Sequence, residues 1–297
     1  MDKEFLSFLP IRIFLKLKNI DKLEEIRLRM GKKVNLRYID EEIFLNEIIT
    51  KLDMEEILEN ICKNSVYSYQ NEIVNGFITI EGGHRVGITG SCVVEKGKIV
   101  NICNITSLNI RIAKQIKDVS RFLDIYIVKD DSILNTLIVS PPGMGKTTIL
   151  KDLIRRISNG DGFKSLNVSV VDERLELSAN FDGTIQIDLG EKTDIITNIC
   201  KDKGMKMLIR SMAPEVIVVD EIGTKEDVEA IKYAVTSGVK GIFTAHGDSF
   251  DNILLNPILK ELINTGLIER LIFLSKAKKG CLDKVYENTK EGYKLMC

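Results

Sequence analysis

The chain has 297 residues, of which 44% are hydrophobic and 29% are charged, a composition that suits a folded protein of about two domains. Its 42 basic and 43 acidic residues nearly cancel, so net charge gives no general attraction to nucleic acid. The six cysteines form no C-x-x-C pair and only two histidines are present, which argues against a zinc site and predicts reduced, half-buried thiols of a cytosolic protein. We find no signal peptide and no run of about 18 apolar residues, so no membrane span is expected.

The N-terminal part of the chain has mixed helix and strand signals. The apolar segment Phe5–Leu17 is interrupted by a proline and two basic residues, which favours packing in the first domain and leaves peripheral membrane contact as the alternative. A capping-box pattern beginning at Asp53 predicts a helix through Cys62. Short strands are predicted at Gly76–Ile80, Arg85–Gly90 and Ser107–Ala113, with a turn at residues 81–83 and a hairpin around Lys96 and Gly97. We therefore expect a smaller N-terminal α/β domain over residues 1–125.

From residue 133 onward, apolar strand candidates alternate with helical stretches. The strands are predicted at Leu134–Val139, Val168–Val171, Val216–Val219, Gly241–Thr244 and Leu271–Leu274, and the clearest helices at Thr148–Ile157 and Lys225–Thr236. Such alternation is typical of a parallel sheet covered on both faces, whose ligands bind at the carboxyl ends of the strands. The fold class predicted is α/β, with a C-terminal nucleotide-binding domain over residues 126–297.

Residues 137–150 carry the strongest functional signal. An apolar strand runs into a tight loop that opens a helix near Lys146, and the pattern G-x-x-x-x-G-K-[ST] is met except that Ser140 replaces the first glycine. Backbone N–H groups of such a loop surround one point at the positive end of the helix dipole, where a polyphosphate fits. Lys146 is expected to reach the outer phosphates and the Thr147 hydroxyl to coordinate Mg²⁺. The predicted nucleotide-binding residues are Ser140, Pro141, Pro142, Gly143, Met144, Gly145, Lys146, Thr147 and Thr148.

Two acidic pairs follow neighbouring strands of the same sheet. Asp220 ends an apolar strand and is placed to hold Mg²⁺, and Glu221 is then placed to activate the water that attacks the γ-phosphate. The preceding strand repeats this construction with Asp172 and Glu173. Glu221 is our first choice as the general base, and Glu173 is its rival.

A histidine and several arginines complete the candidate site. His246 follows the next strand and is predicted to sense the γ-phosphate by hydrogen bonding, although an isolated histidine is more often structural. Arg85 and Arg111 lie in Gly-flanked or strand-like segments. They either solvate a surface or neutralise phosphate charge, and in an oligomer that phosphate can belong to a nucleotide bound by the neighbouring subunit. Arg27 and Arg29 are weaker candidates for the same role.

These motifs together resemble the type II/type IV secretion ATPase superfamily and, within it, a stage III sporulation family of endospore-forming bacteria. The resemblance covers nearly the whole chain. It rests on residues 23–29, 76–87, 140–148, 171–174, 204–221 and 244–247. The central motifs alone indicate only a RecA-like ATPase, whereas the segments at residues 82–87 and 220–224 narrow the similarity to this family.

The resemblance implies a RecA-like C-terminal core that hydrolyses ATP with Mg²⁺, in a homo-oligomer that is hexameric in relatives. It assigns Glu173 to the "Asp box", Glu221 to Walker B and His246 to the "His box", while Arg85 and Arg111 fall in the region that supplies inter-domain arginines. Asp220 departs from the glycine that secretion ATPases commonly have before the Walker B glutamate, which keeps the choice of base open.

The cellular role that the resemblance implies is a motor on the mother-cell side of a channel between mother cell and forespore. Its partners would be membrane-embedded proteins of that sporulation complex, and its place would be cytoplasmic, peripheral to the membrane. Two other functions stay open: a nucleotide-dependent assembly scaffold with little turnover, and a RecA-like protein associated with nucleic acid. The near-zero net charge and the absence of tryptophan argue against direct nucleic-acid binding.

Overall fold

A computed structural model describes residues 4–62, 69–179 and 184–297. The chain divides into two compact units, the first formed by Met1–Lys114 with Ala179–Ile187 and the second by Gln115–Ser178 with Asp188–Cys297. The division into domains at residues 1–125 and 126–297 stays a prediction. No helix in the described ranges has the length and apolarity needed to cross a membrane.

The first unit is built around a six-stranded antiparallel sheet. Its strands are β1 Leu23–Arg29, β2 Lys33–Tyr38, β3 Glu42–Ile48, β4 Phe77–Ile80, β5 His84–Glu95 and β6 Lys98–Arg111, and its helices are α1 Ile11–Phe14, α2 Lys51–Ile61 and α3 Gln70–Val74. The strand order is β3-β2-β1-β6-β5-β4. The predicted hairpin at Lys96 and Gly97 is confirmed, since β5 pairs with β6 up to Glu95 and Lys98. The strands β1 to β3 were not predicted.

Helix α2 begins earlier than the sequence predicted. Thr50 is its N-cap: the Thr50 Oγ1 accepts the Asp53 N–H at 3.2 Å, and the Asp53 carboxylate accepts the Thr50 N–H at 2.7 Å. Asp53 is therefore the N3 residue that closes the capping box and not its start. Arg12 also donates to this carboxylate at 2.6 Å, and the bond from Arg12 lowers the Asp53 pKa to about 2 despite partial burial. The segment Phe5–Leu17 packs into the core of this unit, as the favoured interpretation predicted.

The second unit contains an eight-stranded sheet in the order β11-β10-β12-β13-β9-β14-β15-β16. Its strands are β7 Val128–Lys129 and β8 Ser132–Ile133 (a separate ribbon), β9 Thr136–Ser140, β10 Val168–Asp172, β11 Thr193–Thr197, β12 Val216–Val219, β13 Lys240–His246, β14 Arg270–Leu274, β15 Leu282–Thr289 and β16 Gly292–Leu295. Its helices are α4 Asp124–Ile127, α5 Lys146–Asn159, α6 Lys201–Met212, α7 Lys225–Thr236, α8 Phe250–Leu255 and α9 Pro257–Asn264. The six strands β11, β10, β12, β13, β9 and β14 are parallel to their neighbours in the sheet, and β15 and β16 add an antiparallel edge.

Both faces of the parallel sheet are covered, as predicted. Leu137 and Val139 of β9 join the core that includes side chains of α6, α7 and α9. The intervening Ile138 is also fully buried and points to the other face, because side chains alternate along a strand. Helix α5, which follows β9 directly, packs on β9, β10 and β11. The sheet therefore fixes the carboxyl ends of β9, β10, β12 and β13 along one edge.

The cysteines differ from the prediction in their burial. All six are free thiols, but only Cys62 is buried, whereas Cys92, Cys200 and Cys297 are exposed. The prediction of half-buried core thiols is therefore wrong for these three, because scattered spacing carries no information about which side of an element a side chain takes.

Candidate functional site

The loop between β9 and α5 has the conformation of a phosphate cradle. Gly143 and Gly145 have φ angles of +77° and +88°, values that L side chains adopt only with strain, and Gly145 is the N-cap of α5 without any side-chain cap. The first N–H groups of α5 are therefore left for an anion at the positive end of the helix dipole. The cradle lines a cavity of about 320 Å³, together with Glu176, His246 and Lys279.

Lys146 lies inside this cavity with its ammonium largely buried. The residue is 7% exposed, and its Nζ donates to the backbone oxygen of Ala245 at 3.1 Å and lies 3.4 Å from His246 Nδ1. Burial lowers the Lys146 pKa, and the carboxylates of Asp220, Glu221 and Glu176 oppose this shift. A phosphate would give this desolvated cation an anionic partner, which the described structure supplies only at longer range.

Thr147 and Asp220, the two residues predicted to hold Mg²⁺, lie close to each other. The Thr147 Oγ1 donates to Asp220 Oδ2 at 3.4 Å, and the other Asp220 oxygen accepts a bond from the Thr244 hydroxyl. Within the described ranges, no three His, Cys, Asp or Glu side chains cluster as a metal site would require. One hydroxyl and one carboxylate still fit Mg²⁺, because this ion keeps several waters and takes the remaining ligands from substrate phosphates. The sequence did not predict the Thr244 side chain, whose hydroxyl helps to position the Asp220 carboxylate.

Glu221 is held in a strained and polar position next to the cradle. Its φ of +64° lies in the left-handed region, which costs a non-glycine residue of the order of 1–2 kcal/mol. The Glu221 N–H donates to Thr244 Oγ1 at 2.8 Å, its carboxylate lies 2.5 Å from His246 Nε2, and it forms an ion pair with Arg174. Strain of this kind is concentrated at functional sites, where surrounding contacts maintain it.

The pKa of Glu221 reflects these contacts. Partial burial is the largest single influence and would raise the pKa, but the hydrogen bond with His246 and the charges of Arg174, His246 and Lys146 together lower it below its ordinary value. Glu221 is therefore ionised at neutral pH, as a proton acceptor must be. Arg174, which was not predicted as a site residue, forms an ion pair with Glu221.

The acidic pair after β10 has a different environment. Asp172 is 3% exposed and accepts hydrogen bonds from the backbone N–H groups of residues 176–178 and from the Ser178 hydroxyl, so it fixes the following loop. Glu173 pairs with Lys201 at 3.1 Å. Glu173 and Glu221 line a small second cavity together, and Glu176 borders both cavities. The structure thus brings both candidate bases to the same edge of the sheet, with different partners.

Arg85 and Arg111 lie in the first unit. They are Cα partners on β5 and β6, and the Arg85 guanidinium lies 3.5 Å from the centre of the Phe77 ring. Arg111 also faces Glu25 of β1 in the sheet register. Arg27 donates to that same glutamate at 2.8 Å. A role of Arg85 and Arg111 at phosphate stays a prediction.

The turn before Arg85 is fixed by a buried histidine. His84 is 3% exposed, its Nδ1 accepts the Ala113 N–H at 2.9 Å, and its ring stacks on Phe5 with 3.9 Å between the centroids. Burial lowers the His84 pKa to about 4, so the imidazole is neutral at physiological pH. This histidine therefore has a structural role at the start of β5.

Comparison with known proteins identifies a family and several relatives of this chain. The family model "Sporulation stage III, protein AA" matches residues 4–293. The chain is 38% identical to "Stage III sporulation protein AA" of Bacillus subtilis (strain 168) over 89% of its length and 87% of the relative's, and 26% identical to "Uncharacterized protein ycf45" of Cyanidium caldarium over 95% and 80%.

Solved structures resemble the fold at low sequence identity. The Legionella pneumophila ATPase DotB matches with a TM-score of 0.56 at 13% identity, over 91% of this chain and 78% of DotB. The pilus retraction motor PilT with bound ADP matches with a TM-score of 0.59 at 17% identity, over 97% and 81%. These matches confirm an α/β protein with the RecA-like fold of secretion ATPases. The family model and the Bacillus relative show that the chain belongs to the sporulation stage III protein AA family.

Proposed function

We propose that this protein is a Mg²⁺-dependent ATPase that drives a sporulation channel complex. The observation that carries the proposal is the convergence of Lys146, the Thr147–Asp220 pair and the strained Glu221 at one edge of the sheet. The cradle would bind the phosphates of ATP, with Lys146 donating to the outer ones. Mg²⁺, when bound by Thr147 and Asp220, would neutralise phosphate charge.

Glu221 is the proposed general base. Its carboxylate is ionised and would accept the proton of the attacking water. His246 contacts Glu221 through one ring nitrogen and lies 3.4 Å from the Lys146 ammonium through the other. It would therefore couple the position of the base to the state of the phosphate that Lys146 binds. Glu173 is the less favoured base, because it pairs with Lys201, whereas Glu221 contacts the His246 ring that lies beside Lys146.

The active form proposed is a homo-oligomer, a hexamer by analogy with secretion ATPases. Arg85 and Arg111 of a neighbouring subunit are proposed to neutralise charge in the transition state, as arginines supplied in trans do in other phosphoryl-transfer enzymes. ATP hydrolysis would then move a partner mechanically, by changing the relative positions of domains around the ring. The partners proposed are membrane-embedded proteins of the sporulation channel, with this protein peripheral on the cytoplasmic side of the mother cell.

ATP hydrolysis by the wild type and by Lys146→Ala tests the enzymatic part of the proposal. We expect the substitution to reduce kcat/KM at least about 100-fold, because it removes the only cation that lines the cavity from within α5. Lys278→Ala removes an exposed lysine outside the cavity and is the matched control. Equal activity of the wild type and Lys146→Ala would contradict the proposal. Nucleotide binding without turnover would favour the assembly scaffold.

A further inference from the structure

The loop between β14 and β15 carries three lysines that the proposed mechanism does not use. Residues 276–279 read Lys-Ala-Lys-Lys, and they lie between Ser275 and the glycine at 280. The Ser275 hydroxyl accepts the N–H groups of Ala277 at 3.1 Å and Lys278 at 3.2 Å. The Ser275 N–H donates to the Cys281 oxygen at 2.7 Å and closes the loop. These bonds fix the backbone of the loop that carries the lysines.

This loop contacts the phosphate cradle directly. The Gly280 N–H donates to the Met144 oxygen at 2.9 Å. A Cβ placed on Gly145 would lie 3.4 Å from the Gly280 nitrogen and 3.5 Å from Lys279 Cγ, so the lysine stem lies against the N-cap of α5. Lys279 lines the same cavity as Lys146.

The three lysines of the loop have different surroundings. Lys276 lies 3.5 Å from an Asp248 carboxylate oxygen. Lys278 and Lys279 have no ion pair with any residue in the described ranges, and of the three only Lys279 lines the cavity. An exposed ammonium beside an anion cradle has no protein partner to lose when a phosphate binds, so the attraction is not offset by a broken ion pair.

Lys279 and Lys146 approach the cradle from opposite sides of β9. Lys146 donates to the Ala245 oxygen at the end of β13, on the side where His246 and Glu221 lie. Lys279 follows β14, which pairs with β9 along its other edge. In the proposed mechanism the cleaved phosphate lies on the β13 side, beside Glu221 and His246, so a cation on the β14 side would face the phosphates that both ATP and ADP retain.

We propose that Lys279 is a second nucleotide-binding lysine, which contacts the α- or β-phosphate from the side opposite Lys146. This inference rests on the proposed nucleotide site and adds a residue that sets affinity without taking part in bond cleavage. It predicts that Lys279 contributes equally to ATP and ADP binding, because both nucleotides carry the α- and β-phosphates. It also predicts that loss of Lys279 raises KM and leaves kcat unchanged, because the interaction is shared by the ground state and the transition state.

The test is to compare Lys279→Met with the matched control Lys278→Met, which removes the same charge from the neighbouring position. The measurements are the Kd of a fluorescent N-methylanthraniloyl-ADP probe and the steady-state KM and kcat for ATP. We expect Lys279→Met to raise both Kd and KM roughly tenfold, the effect of about one charge-assisted hydrogen bond, with kcat within about twofold of the wild type. Lys279→Arg should restore most of the affinity, and Lys278→Met should match the wild type.

Several outcomes would overturn the inference. Lys279→Met and Lys278→Met with equal Kd values would show that the Lys279 ammonium does not reach the nucleotide. A loss of kcat with unchanged probe affinity would place Lys279 on the hydrolysis side. In either case, loss of probe binding in Lys146→Ala would show that the nucleotide site itself stands. Full probe binding in Lys146→Ala would refute the nucleotide site and the inference together.

Discussion

Replacing His84 should remove a specific part of the pH dependence of stability in the first unit. In the folded chain burial holds the His84 pKa at about 4, against an ordinary value of 6.5. The unfolded chain therefore binds a proton between these values that the folded chain does not, and the free energy of unfolding falls as pH falls through this window. Below pH 4 the full loss is about 3 kcal/mol, from the difference between the two pKa values at 1.36 kcal/mol per unit.

At pH 5 most of this loss is already present, about 2 kcal/mol from the same linkage relation. The window from pH 7 to pH 5 favours detection of His84, because the chain has only two histidines and Asp53, with a pKa of about 2, is protonated at much lower pH. Burial raises the pKa of Glu72 in the same unit, which opposes the loss as pH falls, so the difference between wild type and His84→Gln reports His84. We expect His84→Gln to remove the His84 contribution, about 2 kcal/mol between pH 7 and pH 5. His246→Gln, in the second unit, is the matched control and should retain it.

Amide hydrogen exchange of β5 and β6 measures the effect, because it reports the opening free energy of these strands separately from the second unit. Rates must be corrected for the intrinsic pH dependence of exchange. The reasoning would be refuted if protection of residues 84–111 were the same at pH 7 and pH 5, or if His84→Gln showed the same decrease as the wild type.

The remaining predictions concern the second unit and the oligomer. Glu221→Gln should lower kcat by roughly 100-fold or more while Glu173→Gln has a smaller effect, with nucleotide affinity retained in both; the reverse order in single-turnover assays would make Glu173 the base. Asp152→Ala should lower the free energy of unfolding by about 3–5 kcal/mol in thermal melts, because its buried carboxylate pairs with a buried arginine; a change below about 1 kcal/mol would contradict this. Mixing Arg85→Ala with Lys146→Ala subunits should restore part of the ATPase activity, whereas no rescue at any ratio would exclude action in trans.

The parallel sheet could be predicted because its strands are continuous apolar runs. Val216–Val219 is buried on both faces and reads as a strand without further context. Strand β1 was missed because four of its seven residues are charged, and because Glu25 and Ile26, next to an irregularity in the pairing with β2, are both buried and break the alternation. Helix α6 was missed because its N-cap, Cys200, offers no side-chain cap.

The candidate site could be predicted as far as local motifs define it. Lys146, Thr147 and Asp220 come together because the ends of parallel strands share one edge of the sheet. The ion pair between Arg174 and Glu221 depends on side-chain directions after two strands, and no spacing rule gives these directions. Lys279 reaches the cavity from a loop more than a hundred residues away in sequence, and only the placement of β14 beside β9 brings it there.

The measurement that tests the central claim most directly is the specific ATPase activity as a function of protein concentration, with Lys146→Ala as the blank. If the site is completed by a neighbouring subunit, specific activity should rise with concentration and reach a plateau as the oligomer forms. A real activity that is independent of concentration at all accessible dilutions would contradict a site shared between subunits. Activity no higher than the blank, at concentrations where the oligomer is present, would contradict the ATPase itself.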